Sequence, residues 1–207
     1  MTSQLPIAAV NTMTLTTPLL SIDTDVGDLA VPLLQVLLKR KSMRNFSDRH
    51  LSLETLSHLL WSACGINRPE EAHRTNPSAR NWQEIDVYVA MEQGLYLFDP
   101  HTFTLHLLQE KDLRAETGTQ EFVPHVPLNL IYVADLAKME EGVMDEQEFY
   151  AALDTGFISQ NVYLYCAAAG LATVVRGLLD RPALAKAMNL RPNQKIIVAQ
   201  SVGYASD

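Results

Sequence analysis

The chain has 207 residues, 47% of them apolar and 19% charged, with a formal net charge of -8. That length suits one well-filled domain and is short for two, and the composition is that of an ordinary soluble globular protein. The acidic balance argues against a nucleic-acid surface, which needs a basic stripe, but leaves room for a local basic pocket around one small anion.

The first basic residue is Lys39, so Met1 to Asp25 lacks the positive region of a secretory signal. Residues 1–28 read as a loosely ordered N-terminal arm ahead of a single domain over 29–207. No apolar run is long enough to span a bilayer. Cys64 and Cys166 are the only cysteines, both in apolar helical surroundings, and read as two buried thiols in a reducing cytoplasm.

From Ala30 to Arg40 the spacing predicts a helix with Pro32 in its first turn and Val31, Leu34, Leu37 and Leu38 on one face. Ser52 caps a second helix running to Cys64, with Leu53, Leu56, Leu59, Leu60 and Ala63 as its apolar stripe and Gly65 as its stop. Residues 66–80 are polar, carry Pro69 and Pro77, and read as a loop of the kind that holds binding residues. Ile85–Met91, Leu95–Phe98 and Phe103–Leu108 predict an antiparallel meander, and Leu128–Ala134 a central strand. Asp145–Ala169 is helical, and its second half is apolar nearly all round, which demands burial in a core or an interface. Gly170 ends it. A strand at Ala172–Val175, a helix opened by Asp180 and Pro182, and a strand at Ile196–Val202 complete an α+β fold, one mixed and mostly antiparallel sheet packed by helices.

Several simple readings fail. There is no glycine-rich dinucleotide fingerprint and no P-loop. The six histidines are scattered; His101 and His106 stand an odd number of residues apart, so one strand would point them to opposite faces, and no metal site is expected. Asp154-Thr155-Gly156 matches the tripeptide of aspartic proteases. That chemistry needs two carboxylates on loops sharing a proton, whereas this tripeptide lies in a helical pattern and reads as coincidence.

Three segments hold together better. Arg40-Lys41-Ser42-Met43-Arg44 is a dense basic cluster in an acidic protein. On its own it reads as cations complementing a helix end, but two guanidiniums, an ammonium and a hydroxyl also suit a phosphate. Arg74-Thr75-Asn76-Pro77-Ser78-Ala79-Arg80-Asn81 is the second segment, and Gln160-Asn161 followed by Gly170-Leu171 through Val175-Arg176-Gly177 is the third. In this order and spacing, from about Leu33 to Tyr204, the set resembles the nitroreductase family of FMN-dependent flavoproteins. The Arg-Thr-x-Pro-Ser-Ala loop resembles a branch related to azoline-forming dehydrogenases.

The resemblance implies a homodimer with FMN at its interface. Arg40 and Ser42 match phosphate-holding positions, Lys41 a backbone support, and Arg44 a cation beside the flavin pyrimidine edge, where charge gathers on reduction. Pro77, Ser78, Ala79 and Asn81 correspond to a loop reaching the flavin from the other subunit, and Gln120 to a ring contact. Val175, Arg176 and Gly177 correspond to the segment whose amides address flavin N5 and O4. One departure stands out: relatives often carry a Lys or Arg after the last strand, and this sequence ends Gly203-Tyr204-Ala205-Ser206-Asp207. Either FMN is then held more weakly, or Arg40 and Arg176 carry more of its charge.

The implied activity is an NAD(P)H oxidoreductase that reduces nitroaromatics, quinones or similar acceptors by ping-pong turnover. The protein contributes no catalytic acid or base of its own. Two alternatives stay open: an FMN-dependent dehydrogenase or oxidase acting on a ring in a peptide or small molecule, and a flavin-free binding homologue. Neither nucleic acid nor membrane is an expected partner.

Overall fold

Among residues 16–22, 30–139 and 144–206, which the computed structural model describes, nine strands and four α-helices follow one another. β1 (Thr16–Pro18) precedes α1 (Leu33–Lys39) and α2 (Leu53–Cys64). A short hairpin of β2 (Ile66–Arg68) and β3 (His73–Arg74) leads into β4 (Ile85–Met91), β5 (Gly94–Asp99) and β6 (Thr104–Gln109). Then come β7 (Leu128–Asp135), α3 (Met144–Ala169), β8 (Leu171–Arg176), α4 (Arg181–Ala187) and β9 (Gln194–Tyr204).

Seven strands form one sheet in the order β1-β6-β5-β4-β7-β9-β8, and each pairing among the described residues is antiparallel. β7 lies inside the sheet between β4 and β9 and is buried along its whole length. Alternation assigns its side chains to two cores. Leu128, Leu130 and Tyr132 join Val87 and Val89 of β4 beneath α2 and α3, where Leu59, Leu60, Ile158 and Val162 close the layer. Ile131 and Val133, with Tyr88 and Ala90, face Leu184 and Met188 at α4. A strand covered on both faces must be largely apolar, which is why Leu128–Ala134 is apolar at every position but Asn129, whose side chain is hydrogen-bonded.

Local chemistry fixes the helix ends. The Ser52 hydroxyl accepts from the Thr55 amide at 3.1 Å, and an Asp180 carboxylate oxygen accepts from the Ala183 amide at 3.0 Å. Gly170 takes φ +70 at the end of α3, a left-handed turn that a Cβ would disfavour.

Four features depart from the sequence reading. α1 begins only at Leu33, because Pro32 stands before the helix in an extended conformation with φ -55 and ψ 135. Its predicted apolar face does not meet the core: Val36 is buried, whereas Leu34 and Leu38 are 73% and 86% exposed. The segment read as a loop from residue 66 contains the β2–β3 hairpin. Within the arm expected over 1–28, Thr16–Pro18 pairs with β6 at the sheet edge, and residues 1–15 and 23–29 lie outside the described residues. Cys64 and Cys166 are buried free thiols, and burial pushes the Cys64 thiol up to about 11. No described helix is long and apolar enough to cross a membrane.

Candidate functional site

The chain after α1 runs extended along the edge of the sheet beside β8. The Met43 amide donates to the Thr173 carbonyl at 2.9 Å, and the Ser47 amide to the Tyr204 carbonyl at 2.9 Å. This brings the basic cluster against the C-terminal half of α3, where Tyr163 is the joint. The Val175 amide donates to the Tyr163 hydroxyl at 3.0 Å, and that hydroxyl lies 2.8 Å from Ser42 Oγ. The Arg40 guanidinium sits 5.4 Å from the centre of the Tyr163 ring. With its oxygen already accepting from Val175, the Tyr163 O–H is free to donate to Ser42. Either hydroxyl can be the donor of that bond, and when it is Tyr163 the exposed Ser42 O–H is left to donate outward. Lys41 and Arg44 are exposed beside it. Two segments 130 residues apart in the chain thus meet through a tyrosine that the motifs did not single out.

The opposite side of β8 tells a different story for Arg176. Its side chain projects to the face away from Tyr163, because adjacent strand residues alternate. There it is buried and donates to Ser201 Oγ, the Thr117 carbonyl, Thr117 Oγ1 and Asn129 Oδ1. Burial without a carboxylate lowers this guanidinium to about 10. The expectation that Arg176 adds charge for a phosphate beside Arg40 is corrected: its charge fixes the turn at residues 114–118. Gly118 packs so closely that a Cβ there would lie 2.0 Å from Arg176 Nη1. Next along the turn, Gln120 has a buried Oε1 without a partner, while a Cβ on Gly177 would meet open space.

The second motif lies elsewhere. Arg74 and Thr75 root it: buried Arg74 donates to the Ile85 carbonyl at 3.2 Å, and Thr75 Oγ1 donates to the Trp61 and Ser62 carbonyls at the end of α2. Asn161, from the third motif, reaches the Ala63 carbonyl of the same helix end at 3.5 Å. Pro77 and Asn81 are exposed, and Ser78 and Ala79 are half-buried. The loop is strained, with Arg80, Asn81 and Gln83 at φ 49, 55 and 50. The contacts that hold it include the Ala79 amide on Asp154 Oδ2 at 2.8 Å, the Gln83 amide on Ser78 Oγ at 2.9 Å, and Gln83 Nε2 on the Ala72 carbonyl at 2.9 Å. Glu84 is buried alongside, with Ser78 Oγ 3.4 Å from its Oε2, and burial first and the nearby Asp154 charge after it raise its carboxyl above the ordinary value.

Within the chain these two regions stay apart. Asp154 under the loop and Tyr163 under the basic cluster are nine residues apart on α3, roughly 14 Å along its axis. Between and around them the surface is apolar and uncovered: Leu33, Leu34, Leu37 and Leu38 of α1, with Phe149, Leu153 and Phe157 of α3. The helix whose second half was expected to be buried in a core or an interface has one face in the core and one apolar face outside. At the end of the last strand, where the sequence has no cation, the Arg49 guanidinium stands 4.0 Å over the Tyr204 ring.

Sequence motifs missed three residues of this arrangement. Tyr163 carried a signal, a hydroxyl set in an apolar helix that must find a polar partner when buried. Asp154 was visible only as part of a tripeptide read as coincidence, and Glu84 had no signal at all.

The donor set fits FMN. Arginines, a lysine and an outward hydroxyl suit a phosphate, and the unpartnered Gln120 oxygen and the open space at Gly177 suit the edge of a planar ring. Comparison with known proteins bears on the same region. The sequence profile described as "Nitroreductase family" matches residues 37–204. A crystal structure of a nitroreductase-type protein from Ralstonia eutropha is 41% identical, covers 100% of this chain and 97% of that one, and superposes with a TM-score of 0.89. A nitroreductase-type protein of Methanocaldococcus jannaschii is 29% identical over 71% of this chain and 79% of its own length. The E. coli microcin synthetase McbBCD complex shares the fold, with a TM-score of 0.71 at 20% identity over 100% of this chain and 85% of that one.

Proposed function

This chain belongs to the nitroreductase family, and from that premise we propose that it is an FMN-dependent oxidoreductase drawing electrons from NAD(P)H. Nitroaromatics, quinones or similar compounds are its acceptors. The observation that carries this reading is the chain of donors from the Val175 amide through Tyr163 to Ser42, ending beside Arg40. The chemistry supplied by bound FMN is two-electron transfer from a reduced nicotinamide to an oxidised acceptor, in alternating half-reactions.

The chain's own residues bind and orient. Arg40 and Ser42 hold the phosphate, with the backbone of Lys41 supporting them, and Arg44 offsets negative charge at the pyrimidine edge. Val175 gives its amide to Tyr163, and strand alternation turns the Arg176 amide toward β9, so the backbone donor left to address the ring is that of Gly177. Pro77, Ser78, Ala79 and Asn81 complete the site of a second subunit. That assignment is supported by the separation of the two motifs along α3 and by the exposed leucines and phenylalanines around them. Two buried thiols suit a cytoplasmic protein.

An absorbance spectrum of the purified protein, taken before and after anaerobic NADPH and NADH, tests the proposal. Bound flavin that bleaches with either nucleotide is the expected result. Bound flavin that stays oxidised would overturn the NAD(P)H reaction in favour of a dehydrogenase or oxidase, and a protein that takes up no FMN would overturn the cofactor. Leu38→Glu puts a charge at the centre of the exposed apolar patch. It should yield a folded monomer by light scattering, with FMN affinity reduced by at least about tenfold.

A further inference from the structure

The Asp154-Thr155-Gly156 tripeptide acquires a second carboxylate only in three dimensions. Asp154 is 1% exposed in the middle of α3, and Glu84 is fully buried at the end of the strained loop. One Asp154 oxygen accepts the Ala79 amide at 2.8 Å, and Ser78 Oγ lies 3.4 Å from Glu84 Oε2. Glu84 Oε1 is buried and has no donor. Two ionised carboxylates in this setting would repel each other and leave that oxygen bare, each a cost that a single proton removes.

From this geometry we infer that Glu84 and Asp154 share one proton, and that this hydrogen bond locks the 77–81 loop in the conformation that reaches FMN in the second subunit. The inference rests on the preceding reading for the role of the loop. Glu84 and Asp154 are positioning residues; neither needs to touch the flavin. The proton sits on Glu84 and is donated to Asp154, whose remaining capacity takes the Ala79 amide. With φ above +40 at Arg80, Asn81 and Gln83, the loop needs such a brace to hold its shape.

Among the described residues, the charged groups around the pair have contacts of their own. Arg74 donates to the Ile85 carbonyl, Arg80 lies over the Trp82 ring, and Tyr150 packs edge-on to Trp82. Asp86 of β4 pairs with Lys138, and Asp135 of β7 pairs with Arg191. The neighbouring charge that bears on Glu84 is that of Asp154. When pH rises far enough, the proton leaves for solvent, both carboxylates are charged, and the loop is released. The lock therefore holds at low pH and fails as pH rises.

Two measurements on the full-length protein test this. Infrared spectra recorded as pH is raised from about 4.5 should contain the carbonyl band of a protonated carboxyl that outlasts ordinary carboxyls and is absent from Glu84→Gln. Titration with FMN, followed by flavin fluorescence over the same pH range, should show affinity weakening about tenfold in the wild type as that band disappears. Glu84→Gln keeps a permanent donor, and Asp154→Asn supplies one to a charged Glu84, so both profiles should be flat across that range. Asp154→Ala, which strands the Ala79 amide, should bind more weakly at every pH. A wild type without the band, or with a pH profile that both conservative variants reproduce, would overturn the inference while leaving the cofactor assignment intact. Failure to bind FMN at any pH, with the band present, would overturn the cofactor assignment and leave the shared proton as a lock on the loop alone.

Discussion

The basic shelf around Ser42 and the loop around Ser78 are the two regions assigned to one ligand, and they are held by opposite means. The shelf is open. Arg40, Lys41 and Arg44 are partly or fully in solvent, their backbone is extended, and the Met43 amide and the Tyr163 hydroxyl tie it to β8. The loop is closed on itself, with three left-handed residues braced by buried polar groups of α3 and its own side chains. A shelf of this kind contributes to binding and little to folding, whereas a strained, buried loop contributes to both. The difference follows from burial: hydrogen bonds made where water cannot replace them are the ones whose loss destabilises the fold.

Substitutions can break or sharpen that contrast. The largest effect on stability is expected for Asp154→Ala, which strands the Ala79 amide and removes the partner of Glu84. A loss of about 2–3 kcal/mol, seen as a fall of roughly 6 °C or more in thermal unfolding, is the outcome to check, together with weaker FMN binding. Arg40→Ala should do the reverse. FMN affinity falls by about 2 kcal/mol, roughly thirtyfold by equilibrium titration, while the melting temperature of the flavin-free protein stays within about one degree. A large drop in that melting temperature would show that the shelf is part of the folding core after all. Tyr163→Phe lies between the two. It keeps the ring under Arg40 but removes the link between Val175 and Ser42, so affinity should fall about fivefold, with a stability cost of about 1 kcal/mol.

The smallest effect is a slope. Burial, and then Asp154, raises Glu84 above its ordinary value of 4.5, so the folded chain keeps a proton that the unfolded chain has released. The stability this proton confers is complete below about pH 4.5 and is lost as pH rises through the raised value. Denaturant titrations across pH should show this decline in the wild type and its absence in Glu84→Gln.

Reading the sequence captured the elements better than their neighbours. The apolar run of β7, the Ser52 and Asp180 caps and the left-handed Gly170 were legible because each is decided within a few residues. The apolar face of α1 was legible as a pattern, but not as surface rather than core. Periodicity reports that a face is apolar and carries no information about what covers it. Arg176 failed for a related reason: strand alternation gives two possible faces, and only the position of β8 at the sheet edge beside α3 assigns one.

By itself the sequence determined an α+β domain with a basic cluster, a polar loop and an apolar helix in the order of the nitroreductase family, because these are local patterns of charge, turn residues and spacing. Tertiary structure alone decided that Tyr163 joins Ser42 to Val175, that Arg176 turns inward, and that Glu84 meets Asp154. Each of these depends on the long-range packing of α3 against the sheet, where a contact between residues up to 121 positions apart is fixed by how two surfaces fit and not by anything within either segment.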